Sequence, residues 1–310
     1  GGLFAKPEVV VAERKPLLDK RGKRIPLPEN RYEWSDKILG QGEVSVVHFA
    51  CSKKDGQKVA IKRISPTQLT VKRVQQLYKE AKILNKISRL NTKARFVRLV
   101  EGFIDHQGGI CLVTNRIAGS ELFQAIIRNP KGLPEVDAKY YVFQIFKAVE
   151  VLHKNNIAHL DLKLENMMYS RRTKEVSIID FGFAEETTLV DVETGETLPR
   201  KLNSFCGSLD YSAPEILQHI EFDGKKADVW SLGVVVYALL TGNFPFEAKK
   251  RHRILEKIVI GDYPIPSGIS HTACSLLNQM LQKHPDNRSS ISSLLEHEWF
   301  AELEMKDEEN

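Results

Sequence analysis

The chain has 310 residues, with 45 Lys and Arg against 40 Asp and Glu, a net charge of +5 and 42% hydrophobic residues. This length and apolar content suit a large core and about two domains, and so modest a net charge gives no reason to expect a nucleic-acid partner. Cys51, Cys111, Cys206 and Cys274 lie far apart, without a Cys-x-x-Cys pair, which excludes a zinc ribbon by pattern and leaves reduced thiols of the cytoplasm or nucleus as the expectation.

Residues 1–31 place Pro7, Pro16, Pro26 and Pro28 among eight Lys or Arg and four acids, and read as an extended lead-in. From Tyr32 to about Leu112, short apolar runs predict strands with one helix at 71–87, where Val74, Leu77, Ala81, Leu84 and Ile87 recur at helical spacing. Gly40-Gln41-Gly42 lies between two strand-like runs, and glycine lets backbone N–H groups approach an anion without a Cβ in the way. A lone Gly-x-Gly is most often only a turn. Val59-Ala60-Ile61-Lys62 follows as a strand, and its embedded Lys62 needs a partner. Glu80, on the helix, is the natural one. Ile110–Val113 forms a further strand, and helical periodicity then predicts 134–153, 228–241, 250–259, 270–281 and 290–296. A β-rich first part and a helical second part make an α+β chain. The apolar run from Leu232 to Leu240 is too short to span a bilayer and reads as a buried helix, so no membrane insertion is expected. Residues 301–310 carry five acids against Lys306 and form an acidic tail.

The chemistry concentrates in His159-Leu160-Asp161-Leu162-Lys163-Leu164-Glu165-Asn166 and, further on, Ile178-Ile179-Asp180-Phe181-Gly182. A polyphosphate substrate needs Mg²⁺, which takes one or two carboxylate or amide oxygens plus the phosphates. Asn166 and Asp180 can supply those oxygens. Asp161 then remains to orient an attacking hydroxyl and accept its proton.

These motifs, in this order, resemble the eukaryotic protein kinases over residues 32–300. The resemblance implies a two-lobed fold: an N-lobe at about 32–114, a hinge at 115–118 and a C-lobe at about 119–300. It implies ATP and Mg²⁺, with Gly40 and Gly42 in the phosphate loop, Lys62 on the α- and β-phosphates and Glu80 as its partner. Leu39, Val47, Ala60 and Met168 would sandwich the adenine, Asn115 and Ile117 would bond its edge, and Glu121 would sit near the ribose. Thr114 is a small gatekeeper. Asp161, Lys163, Asn166 and Lys62 become the catalytic set, with Ser208 bracing Asp161. Phe205 to Glu215 resembles the end of an activation segment, Asp228-Val229-Trp230 the start of a buried helix, Arg288 the partner of Glu215, and His297–Phe300 the last helix. Lys163, two residues after Asp161, points to protein Ser or Thr hydroxyls as substrates. Glu121 and Glu165, both solvent-facing by pattern, imply a preference for basic residues in those substrates.

Three departures stand out. Leu160 occupies the position where many kinases have an Arg that clamps an activation-segment phosphate, as in some members of the calcium/calmodulin-dependent group with a regulatory tail. Yet Ser204-Phe205-Cys206-Gly207 resembles the phosphorylation site that an upstream kinase uses in relatives of the AMP-activated enzyme. Ser204 is therefore a candidate regulatory phosphosite that basal activity does not require. Ser45 replaces the third loop glycine, and residues 189–200 lengthen the activation segment, where a surface hairpin or mobile loop is the simplest reading and a substrate or regulator contact the sharper one. The competing reading is a pseudokinase scaffold, which Ser45 and Leu160 alone favour.

Overall fold

The structure is a computed structural model that describes residues 28–191, 193–203, 207–301 and 303. It divides into two units, one holding residues up to Val74 with Leu99–Arg116, the other Gln75–Arg98 with the chain from Ile117 onward. Gln75–Arg98, expected within the first lobe, is thus grouped with the second unit.

The first unit is a five-stranded antiparallel sheet. Its strands β1 (Tyr32–Gln41), β2 (Val46–Ser52), β3 (Lys58–Ile64), β4 (Leu99–Ile104) and β5 (Ile110–Asn115) run in the order β1-β2-β3-β5-β4. Alternation decides its faces. Ala50, Val59, Ile61, Cys111 and Val113 are wholly excluded from solvent and join Tyr32 and Phe103 in one apolar cluster. Val47, Ala60 and Lys62 point the other way, Val47 lying opposite Lys62 and Ala60 opposite Thr114. The phosphate-loop, adenine-slot and Lys62 positions therefore share the half-open face.

The second unit contains most of helix α1 (Val71–Ser88), followed by β6 (Ser120–Glu121), α2 (Phe123–Arg128), α3 (Glu135–Lys154) and β7 (Ile157–Ala158). Next come β8 (Met167–Tyr169), β9 (Val176–Ile178), β10 (Glu185–Glu186) and a hairpin of β11 (Thr188–Val190) and β12 (Thr197–Pro199). Helices α4 (Pro214–Leu217), α5 (Gly224–Thr241), α6 (Arg251–Ile260), α7 (His271–Met280) and α8 (Ile291–Leu295) complete it. Helix α5 is apolar on every side and buried along nearly its whole length, as expected of a helix at the centre of a core. It starts four residues before the 228–241 expected from periodicity, because Asp223 caps it by accepting the Lys225 N–H at 2.8 Å. Gly242 ends it in the left-handed region at φ 74°. Residues 298–300 form a single 3₁₀ turn rather than the expected last helix. That turn drives Trp299 and Phe300 inward, and Phe300 packs on Phe143 and Phe146 of α3. The lengthened activation segment is the surface hairpin anticipated at 189–200, with Leu189 opposite Leu198.

Candidate active site

Asp228, wholly buried on α5, organises the loop that follows β7. Its Oδ2 accepts the backbone N–H of His159 at 2.8 Å and lies 2.9 Å from Nε2 of His153, while its Oδ1 accepts the N–H of Leu160 at 2.8 Å. A buried carboxylate is stable only when so paired. The anchoring twists Leu160 to φ 62°, a left-handed conformation that costs a non-glycine residue roughly 1–2 kcal/mol. Leu160 is itself buried, among Ala158, Leu202 and Gly224. His159 contributes its Nδ1, which accepts the N–H of Asp161 at 3.3 Å, and its ring lies 4.9 Å from that of Phe181.

Asp161 is buried, and its carboxylate is held from three sides. Ser208 Oγ donates to Oδ1 at 3.1 Å, and both Lys163 Nζ at 2.8 Å and Asn166 Nδ2 at 3.0 Å reach Oδ2. Lys163 also donates to Ser208 Oγ at 2.8 Å, closing a ring of Asp161, Lys163 and Ser208. A carboxylate offers about four acceptor sites. Three are used here, which leaves one acceptor position on a rigidly aimed anion.

Asn166 donates a second bond from Nδ2 to the carbonyl of Asp161 at 2.9 Å. Its amide nitrogen is thus committed, and the amide oxygen on the other arm remains as an acceptor. The carbonyl of Asn166 accepts the N–H of Ile179 at 2.8 Å, which brings the next residue, Asp180, beside the same loop. Asp180 sits at φ 59° with an exposed side chain, and its Oδ1 accepts the Gly182 N–H at 3.0 Å. An amide oxygen and a carboxylate from adjoining turns suit a hard divalent cation that draws its other ligands from phosphate and water.

The other expected site residues distribute as follows. Glu80 is buried on α1, Met168 is half-buried on β8 opposite Glu121, and Glu121 is exposed. Glu165, expected to face solvent, is instead half-buried and accepts the hydroxyl of buried Tyr211 at 3.1 Å. Ile117 opens the second unit, while Leu39, Gly40, Gly42, Val47, Ala60, Lys62 and Asn115 belong to the first. There the Gly42 N–H closes the loop turn onto the Ser45 carbonyl at 2.8 Å. A Cβ on Gly42 would come within 3.3 Å of Ser45 Oγ. Ser204, the candidate phosphosite, lies outside the described residues, as do Phe205 and Cys206.

Further from the loop, the expected Glu215–Arg288 pair is present as a bidentate salt bridge, both bonds 2.7 Å, with the guanidinium over the Trp230 ring. Sequence reading did not assign Asp228 its three bonds. Nor did it single out Glu185 and Glu186, because adjacent acids look like solvated surface charge.

The protein kinase domain family matches residues 34–300. The chain is 35% identical over 265 residues to the SNF-related serine/threonine-protein kinases of Homo sapiens, Rattus norvegicus and Mus musculus, a match that covers 86% of this chain. The matched region is about a third of the length of those relatives, 33% of the human and 34% of the rat and mouse proteins.

Proposed function

Because this chain belongs to the protein kinase domain family, we propose that it transfers the γ-phosphate of ATP to Ser or Thr hydroxyls of protein substrates. The observation that carries this reading is the aimed carboxylate of Asp161, with Lys163, Ser208 and Asn166 on it and Asp180 one residue beyond the Ile179–Asn166 bond. Phosphoryl transfer asks the protein for placement and charge neutralisation more than for covalent chemistry.

The substrate hydroxyl donates to the remaining acceptor site of Asp161 and passes its proton there as its bond to the γ-phosphorus forms and the bond from that phosphorus to the bridging oxygen breaks, with ADP as the leaving group. Lys163, already 2.8 Å from that carboxylate, is placed to meet the negative charge of the moving phosphoryl group. Asn166 and Asp180 would hold Mg²⁺, which neutralises the phosphates. On the first unit, Gly40 and Gly42 would admit the phosphates to the backbone, and Lys62 would take the α- and β-phosphates. Leu39, Val47 and Ala60 there would supply apolar contact for the adenine, whose edge would go to Asn115.

Glu121 and Glu165 favour a basic residue on the N-terminal side of the target hydroxyl; a peptide array without basic preference would remove this part. An upstream kinase acting at Ser204 to raise an activity whose basal level does not require it, or a regulatory tail, is proposed as the control, and the cytoplasm or nucleus as the location. Among the described residues no helix is long and apolar enough to cross a membrane.

The test is transfer of radiolabel from ATP to a basic serine-peptide library with Mg²⁺, beside Asp161→Asn. Transfer that disappears in the variant supports the reading. Thermal stabilisation by ATP without transfer, in enzyme treated beforehand with an activating kinase, would make the chain a pseudokinase.

A further inference from the structure

Strand β10 consists only of Glu185 and Glu186, which pair with Ala158 and Ile157 of β7, just before the Asp161 loop. Their carboxylates gather cations from two distant stretches of chain. Glu185 Oε1 accepts from Lys79 at 2.5 Å and Oε2 from Arg200 at 3.0 Å, and Arg200 also reaches the Glu186 carbonyl at 3.3 Å. Glu186 Oε2 accepts from Lys82 at 2.7 Å, and its Oε1 lies 3.5 Å from Lys86. Lys86 donates in addition to the carbonyl of Asn155 at 2.9 Å, and Gln76 to the carbonyl of Gly182 at 2.9 Å.

Gln76, Lys79, Lys82 and Lys86 follow one another at steps of three and four, so they line one face of α1. That face is bound to the turn after Asp180 and, through Glu185, to Arg200, which follows β12 at the end of the activation hairpin. A single exposed ion pair contributes about 0–1 kcal/mol. Here two acids, exposed only 22% and 32%, share four cations. The hydrogen bond from Lys82 is the largest influence on Glu186 and holds its carboxyl below the usual range. That carboxyl therefore stays ionised at neutral pH.

In kinases with Arg before the catalytic aspartate, that Arg clamps a phosphate on the activation segment. This chain has buried, apolar Leu160 there. We propose that Glu185 and Glu186 are positioning residues that hold α1, the helix carrying Glu80, and the activation hairpin in register with the Asp161 loop without any phosphate. The proposal rests on the kinase reading above. It makes Ser204 phosphorylation dispensable for the assembled site, and it names the groups that replace the phosphate.

The experiment compares phosphatase-treated wild type with Glu185→Gln/Glu186→Gln and with Lys79→Met/Lys82→Met, measuring kcat, KM for ATP and peptide, melting temperature and amide exchange in α1. Treated wild type retains its activity. Each double variant loses about tenfold in kcat, at a temperature well below its melting point, with peptide KM little changed. Combining all four substitutions adds little further loss, because both pairs remove one network. Unchanged kcat in the variants, or loss of wild-type activity on phosphatase treatment, overturns the proposal. If wild type transfers no phosphate in any state, the kinase reading fails instead. The clamp is then judged by α1 amide exchange, which quickens in the Gln variant if the acids hold the helix and is unchanged if they do not.

Discussion

The Oδ1 of Asp228 accepts the backbone N–H of Leu160 at 2.8 Å, and Leu160 stands at φ 62° immediately before Asp161. A residue 68 positions along the chain thus sets the direction in which the Asp161 loop leaves β7. Replacing Asp228 by Asn puts an amide where two backbone donors need acceptors, at a cost of about 1–3 kcal/mol for the groups left unmatched. Asp228→Asn is expected to lower the urea midpoint, and kcat more than ATP affinity, because the defect lies on the loop that carries Asp161.

Ser208 both braces Asp161 and accepts from Lys163. Ser208→Ala is expected to reduce kcat by about ten- to a hundredfold, as loss of one aligned polar contact implies, with ATP KM nearly unchanged. Ser208→Thr keeps the hydroxyl and should retain most activity. Steady-state kinetics on the two variants decide this, and equal losses would show that the hydroxyl does not matter.

Arg288 is 1% exposed and makes two bonds to Glu215. Arg288→Ala leaves a buried carboxylate without its cation, a loss of about 3–5 kcal/mol. Arg288→Lys restores the charge but not the planar fork, so it should recover only part of the melting temperature. Full recovery by Lys would show that charge alone holds the pair.

His159 is wholly excluded from solvent, and desolvation by burial holds its pKa below the usual imidazole value of 6.5. The native ring stays neutral while the unfolded chain binds a proton, so its stabilising contribution is complete above pH 6.5 and declines as pH falls below that. His48 and His297 are shifted the same way, mainly by burial. Chemical denaturation at pH 7.5 and 5.5 (about one unit either side of the unfolded value) should show lower stability at the acidic pH. His159→Phe should flatten that dependence; an unchanged slope would assign the effect to the other two rings.

The motifs of the candidate site were legible in the sequence, because their residues and order resemble those of the protein kinases. Asp161, Lys163, Asn166 and Asp180 could be named with no structure at all. The main helices were legible because a repeated apolar period survives any packing, and the 71–87 and 134–153 spans lie within one residue of those observed at each end. Local pattern says nothing, however, about which acid meets which cation across a hundred residues. Glu185 and Glu186 carried no local signal before α1 and Arg200 were folded onto them, and Glu165 read as solvent-facing until Tyr211 turned its hydroxyl toward it. The early start of α5 and the 3₁₀ turn at 298–300 belong to the same class, being settled by a capping carboxylate and by the space open to two aromatic rings. Covalent chemistry is written residue by residue, whereas electrostatic partnership depends on distances that only the packed chain creates.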